Sequence, residues 1–228
     1  HEHFIVDLDR VRHDGISMIE TPEEVEPEIR KMMALGVQAA VEVSTIDLGR
    51  DVRKLKQISL DTGLTIVAST GFYLTQYHPE WLASASAAAI AEVYVRELTE
   101  GIDDTGIKAG IIAEIASSPE RFEGEEKKIL KAAGIASRQT GAAVSTHTGR
   151  ATAVETIETL LAEGMDPDKI IVGHQDLIDD TKYHVQLLKY GVNIAFDTCG
   201  KKAYMPDETR ARNALAIMEA GYGDQLLF

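Results

Sequence analysis

Four histidines and one glutamate are the residue types from which a metal site can be built, and each lies at or inside a short apolar segment. His1 and His3 are two positions apart, so on an extended segment both point off the same side of the pleat. His147 follows Ala143-Val-Ser-Thr146, and His174 follows Ile170-Ile-Val-Gly173. Glu114 lies within Gly110-Ile-Ile-Ala-Glu-Ile-Ala-Ser-Ser118, which reads as a buried strand. An unpaired carboxylate there is costly, so it calls for a cation or a metal as partner. Taken singly, Glu114 reads equally well as a strand-end acid paired with Lys or Arg, and each His as a hydrogen-bonded core residue. Taken together, imidazoles and a carboxylate make a donor set suited to zinc, manganese, iron, cobalt or nickel. His13 falls in a loop and His184 on a helix, and both are expected to face solvent.

The elements that must position these residues alternate strictly. Phe4-Ile-Val6 is brief and leads into a polar loop. Thr21-Pro-Glu-Glu24 has the marks of a helix start, with Thr as cap, Pro at the first position and acids in the first turn. That helix is expected to reach Leu35, before Gly36, and a strand follows over Val37–Val43. Further helices are expected over Leu48–Thr62, Pro79–Gly101, Gly124–Gln139, Thr152–Glu163, Asp180–Tyr190 and Asp207–Ala220. The strands that follow them are Leu64–Ser69, Ala109–Ile115, Ala142–Thr146, Lys169–Val172, Val192–Phe196 and Gln225–Phe228. Seven helices, each followed by a buried apolar strand, predict a parallel sheet. Even spacing, and polar residues at the C-terminal ends of several strands, favour a closed (β/α)8 TIM barrel over an open sheet. No glycine-rich phosphate loop of the nucleotide-binding kind is present. A single domain over 1–228 is expected, clipped before the first strand and within the last.

The formal net charge of −14 weighs against binding nucleic acid. No apolar run approaches the roughly 18 residues that cross a bilayer, so no membrane partner is expected. The chain opens on His1-Glu2-His3 rather than a signal peptide. One cysteine, Cys199, excludes an internal disulfide and suits a cytoplasmic location. Nothing near Cys199 forms a nucleophilic pair, and it is read as a bystander.

With the site residues in place, the sequence resembles the amidohydrolase superfamily: His-x-His, a Glu on the fourth strand, and a His on each of the fifth and sixth. The words His1-Glu-His3, Thr70-Gly-Phe-Tyr73 with His78-Pro79, Ala113-Glu-Ile115, Thr146-His-Thr148 and Gly173-His-Gln-Asp176 resemble phosphotriesterase-related proteins over essentially the whole chain. The resemblance implies two divalent metal ions, with zinc first and manganese, cobalt, nickel or iron as alternatives. His1 and His3 would hold the first, His147 and His174 the second, and Glu114 would bridge them where some members carry a carboxylated lysine. Lys108 lies at the wrong end of the strand for that role. The resemblance also implies a general-base Asp just after the eighth strand, which places it beyond Phe228. Two such cations lower the pKa of a bridging water, and the hydroxide attacks a carbonyl or phosphoryl centre.

Substrate contacts are expected from Tyr73, Asp176 and Arg150. Tyr73 follows the third strand, where an aromatic reads equally well as lining the pocket or packing a loop, and Asp176 would support a ligand or line the pocket rim. Arg150 follows His147 closely and would meet an anionic group, although loop arginines are usually solvated. Asp197 and Thr198 end the seventh strand. True phosphotriesterases tend to carry a proton-relaying His near Thr198, and its absence weighs against organophosphate hydrolysis. The resulting expectation is a hydrolase of a small ester, lactone or phosphoester, with homodimers common among such barrels. Two alternatives stand beside it. One is a TatD-like metal-dependent nuclease, disfavoured by charge. The other is a metal-binding homologue without the last-strand base.

Overall fold

A computed structural model describes residues 1–228 and shows seven parallel strands curled into most of a barrel, with helices outside. The strands are β3 (Ala39–Glu42), β4 (Thr65–Thr70), β5 (Ile111–Ala116), β6 (Val144–His147), β7 (Ile170–Val172), β8 (Asn193–Ala195) and β9 (Leu226–Leu227), hydrogen-bonded in chain order. Consecutive parallel neighbours joined by helices are the signature of the clipped (β/α)8 barrel that the alternation predicts. The His1-Glu2-His3 segment lies along the free edge of β3: Glu2 N donates to Val41 O and Val43 N donates to Glu2 O, each at 2.9 Å. Both histidines therefore project to one side, as their spacing requires.

The helices are α1 (Asp9–Arg12), α2 (Pro22–Ala34), α3 (Val52–Thr62), α4 (Trp81–Ser84), α5 (Ala87–Thr99), α6 (Glu126–Thr140), α7 (Ala153–Ala162), α8 (Thr181–Leu188) and α9 (Asp207–Glu219). Two differ from expectation. The Ala-rich stretch 79–101 is broken at Ala85-Ser86, because Ser86 turns extended and its hydroxyl caps Ala89 N at 3.2 Å. The helix expected from Leu48 starts at Val52, where Asp51 accepts from Arg53 N and Lys54 N. The polar loop after Val6 also folds further than expected. It forms α1 and an antiparallel pair, β1 (Val6–Asp7) with β2 (Met18–Ile19).

Two apolar layers hold the barrel. Outside the sheet, Ile90 and Tyr94 of α5, Leu130 of α6 and Ile157 of α7 pack on Ile112, Val144 and Ile170. Inside it, Val43, Ile111 and Ala113 fill the lumen with Val67 and Ile171. The β5–β6 register shifts between Ile112 and Ile115. Ile112 and Ile115 thus both belong to the outer layer, which leaves the two residues between them, Ala113 and Glu114, for the lumen side. No helix is long and apolar enough to cross a membrane.

Glu42, at the end of β3, is fully buried, and its Oε1 accepts only weakly from Phe4 N at 3.2 Å. Burial pushes its carboxyl up to about 7. A raised carboxyl pKa makes the folded state hold the proton longer than the unfolded state does. Stability from this group is therefore full below about 4.5, declines as pH rises towards 7, and is flat above that, a loss of about 3 kcal/mol. We expect Glu42→Gln to gain that amount relative to the parent between pH 4.5 and 7 in urea midpoints. A difference between the two proteins that does not change with pH would contradict this assignment.

Candidate metal centre

Glu114 is 1% exposed, and no Lys or Arg reaches it. Its partners are the four histidines singled out above. Oε1 lies 2.8 Å from His147 Nδ1, 2.8 Å from His174 Nε2 and 3.4 Å from His1 Nε2, and Oε2 lies 3.9 Å from His3 Nε2. His147 Nδ1 and His174 Nε2 are also only 2.8 Å apart. Five side chains from four parts of the chain thus aim their donor atoms at one point at the C-terminal end of the barrel.

The outward-facing nitrogens are anchored. His3 Nδ1 meets Ser44 Oγ at 2.9 Å. Asp197 takes His174 Nδ1 at 2.8 Å through Oδ1 and lies 3.0 Å from His1 Nδ1 through Oδ2. A carboxylate behind an imidazole fixes its tautomer and ring plane and leaves the other nitrogen as the donor. The donor set fits divalent metals in chemistry and in grouping. Candidate ligand atoms cluster within 4.8 Å as His1/His3/Glu114, as Glu114/His147/His174 and as His1/His174/Asp197.

The electrostatics agree. Burial alone would raise Glu114, but the fields of His147 and His1 and hydrogen bonds from His147 and His174 hold it well below the usual carboxylate range. Burial would likewise raise Asp197, and its bonds with His1 and His174 keep it low. His174, lowered by burial, is carried up to about 10 by Asp197 and Glu114, and His1 is raised by the same two acids. His3 is pushed down to about 4 by burial and is neutral at physiological pH. Without metal, the two carboxylates thus favour the protonated forms of His174 and His1, and metal ions would displace those protons.

A cavity of about 230 Å³ opens over this cluster. Tyr73 lines it, with its hydroxyl 3.2 Å from His147 Nε2. The other two expected substrate contacts lie elsewhere. Arg150 is engaged by Asp180 at 2.7 Å and stacks 4.6 Å over Tyr183, away from the cavity. Asp176 is buried beside Arg210, whose Nε donates to it at 2.6 Å, and it also accepts from the Thr198 hydroxyl. It therefore braces the loop after β8 and does not line the rim. Arg210 completes the brace by donating to Met205 O at 2.6 Å and Lys201 O at 3.3 Å. That loop brings Lys201 and Tyr204 to the cavity, where Arg12 joins them from α1. No sequence signal marks these three. His184, expected in solvent, is fully buried, with Nε2 2.8 Å from Gln175 O. His13 is exposed as expected. Partial burial and the Asp176 charge push the Cys199 thiol up, away from nucleophilic use.

A sequence model described as the Phosphotriesterase family matches residues 1–228. The chain belongs to the phosphotriesterase family. It is 34% identical to the phosphotriesterase homology protein of Escherichia coli, over 97% of this chain and 76% of that protein. A crystal structure of that protein, with phosphate in its active site, covers 99% of this chain and 78% of its own, at TM-score 0.95 and 33% identity. The aryldialkylphosphatase of Saccharolobus solfataricus is 30% identical over all of this chain and 74% of its own. The lactonase Lmo2620 of Listeria monocytogenes superposes at TM-score 0.93 and 27% identity, over all of this chain and 75% of its own. This phosphotriesterase-family chain is a metal-dependent hydrolase with the family's barrel and a histidine–carboxylate cluster at its rim.

Proposed function

We propose that the chain hydrolyses a small ester, lactone or phosphoester at a centre of two divalent metal ions, with zinc the first candidate. His1 and His3 would hold one ion, His147 and His174 the other, and Glu114 would contact both. The observation that carries this reading is the focus of four imidazole nitrogens on the two oxygens of one buried carboxylate. When bound, the ions would supply an acidified water and a polarised electrophile. The chain's own residues do the rest. Asp197 and Ser44 fix the imidazoles, and Glu114, held ionised, supplies the shared negative charge. Tyr73, kept as a neutral phenol by burial, can donate its hydroxyl proton to a substrate oxygen.

Apart from the histidines, Arg12 and Lys201 are the cationic side chains lining the cavity, and its two acids are those buried beneath the imidazoles. The mouth of a strongly acidic protein is therefore locally positive, which suits a substrate with an anionic or strongly polar portion. This supports a small anionic ester or lactone over a neutral triester. Arg12 and Lys201 replace Arg150 as the candidate anion contacts. A long polyanion such as DNA finds no basic track, consistent with the charge of −14. The single cysteine supports a reducing compartment, and we place the protein in the cytoplasm.

The test is hydrolysis by zinc- or manganese-loaded protein of nitrophenyl esters, lactones with and without a carboxylate or phosphate group, phosphate esters and DNA. Chelator-sensitive turnover of an ester, lactone or phosphoester is expected. Metal-loaded protein that turns over none of them would instead support a binding homologue, and turnover of DNA alone a nuclease.

A further inference from the structure

We propose that Gln175 is a positioning residue that ties the ends of β6 and β7 together and sets the affinity of the metal position formed by His147 and His174, given the two-metal reading above. Gln175 directly follows His174 and is fully buried. Its side-chain Nε2 donates to Gly173 O at 2.6 Å and to Thr148 O at 3.0 Å. Gly173 precedes one ligand and Thr148 follows the other, so a single amide group bridges the neighbours of both.

The tie acts where the sheet no longer does. Parallel pairing of β6 with β7 ends at Thr146–Val172, and a last backbone bond joins Gly173 N to Thr146 O at 3.0 Å. Both ligands lie at or beyond that limit. His174 adopts a left-handed conformation, φ 59°, which is unfavourable for a residue with a Cβ and persists only where the surroundings impose it. Gln175 is held in turn, because its own carbonyl meets the buried His184 Nε2 at 2.8 Å. The side-chain amide is selected for its donors: Nε2 serves two carbonyls, while Oε1 has no partner. A flipped amide would set its oxygen against both carbonyls, so the network fixes the orientation. Neither an apolar side chain nor an acceptor-only Glu of equal length can make this bridge.

The experiment is competition titration of zinc against a chelating indicator for the parent, Gln175→Met and Gln175→Asn, with far-UV circular dichroism as the check on folding. Met keeps the length and loses both donors. Asn keeps the amide, but one methylene short of Thr148 O, and carries the test if the Met variant does not fold. We expect the parent to bind two ions. One should be unchanged in both variants, and the other weakened about ten- to a hundredfold by Met and less by Asn. Folded variants that bind both ions like the parent, or lose both equally, would overturn the positioning role. A parent that takes up no second ion would sink the two-metal reading itself, which is a distinct result.

Discussion

Protein carrying Glu114→Gln is expected to lose both metal ions and, with them, hydrolysis. Glu114 is the one side chain within reach of both histidine pairs, through Oε1 to His1, His147 and His174 and through Oε2 to His3. An amide of the same shape keeps one weakly basic oxygen and offers a donor where a second ligand oxygen is needed. Even residues behind a metal ligand cost ten- to a hundredfold in affinity, so loss of a shared charged ligand should cost at least about a hundredfold for each ion. The metal-free protein should also weaken. His1 and His174 carry raised pKa values because Glu114 and Asp197 face them, and removing one partner of a buried ion pair costs about 3–5 kcal/mol. The sign with pH follows from the depressed Glu114 pKa. Its stabilisation is present above the unfolded value near 4.5 and fades as pH falls further. The Glu114→Gln deficit in apo-protein urea midpoints should therefore be largest at neutral pH and shrink on acidification. A variant that keeps two tightly bound ions would contradict the shared-ligand assignment.

Gly173→Ala should be the most damaging one-methyl change near the site. A Cβ at this position would fall 2.1 Å from Thr146 O, which is backbone and cannot swing aside. Gly173 N also donates to that carbonyl at 3.0 Å, so relieving the clash breaks the last backbone bond between β6 and β7. Overpacking of this kind costs about 1–3 kcal/mol, with the upper end expected where backbone must move. The displacement falls between the residues that carry His147 and His174, so uptake of one metal ion should fail before the fold does. Thermal melts and metal content measured together check this. An alanine variant with the parent's melting temperature and both ions would show that the close approach is relaxed in solution.

The candidate site was legible because parallel strands buried on both faces write themselves as apolar runs, and a polar residue at the end of such a run stands out. His147 and His174 needed only that rule, and Glu114 stood out inside its run as a charge with no neighbouring partner. The (β/α)8 order was legible for the same reason, with a Gly closing each of the seven predicted helices. What escaped was set by long-range pairing. Asp176 looks like a rim residue until Arg210, 34 positions later, is seen to bury it. Arg150 looks free until Asp180 and Tyr183 take it. His184 has helical spacing that does not reveal which side faces the barrel, and its partner is a backbone carbonyl, invisible in sequence. Asp197 reads in sequence as a strand end, yet its work, holding His1 and His174 at once, exists only after the barrel curls. Arg12, Lys201 and Tyr204 reach the cavity from a short helix and a braced loop whose course no local pattern dictates.

The most direct measurement is anomalous X-ray diffraction at the zinc edge from crystals of zinc-saturated protein. Two peaks are predicted, one beside His1 and His3 and one beside His147 and His174, each about 2.0–2.2 Å from an oxygen of Glu114. Peaks away from Glu114, or none in protein shown to be saturated, would contradict the account.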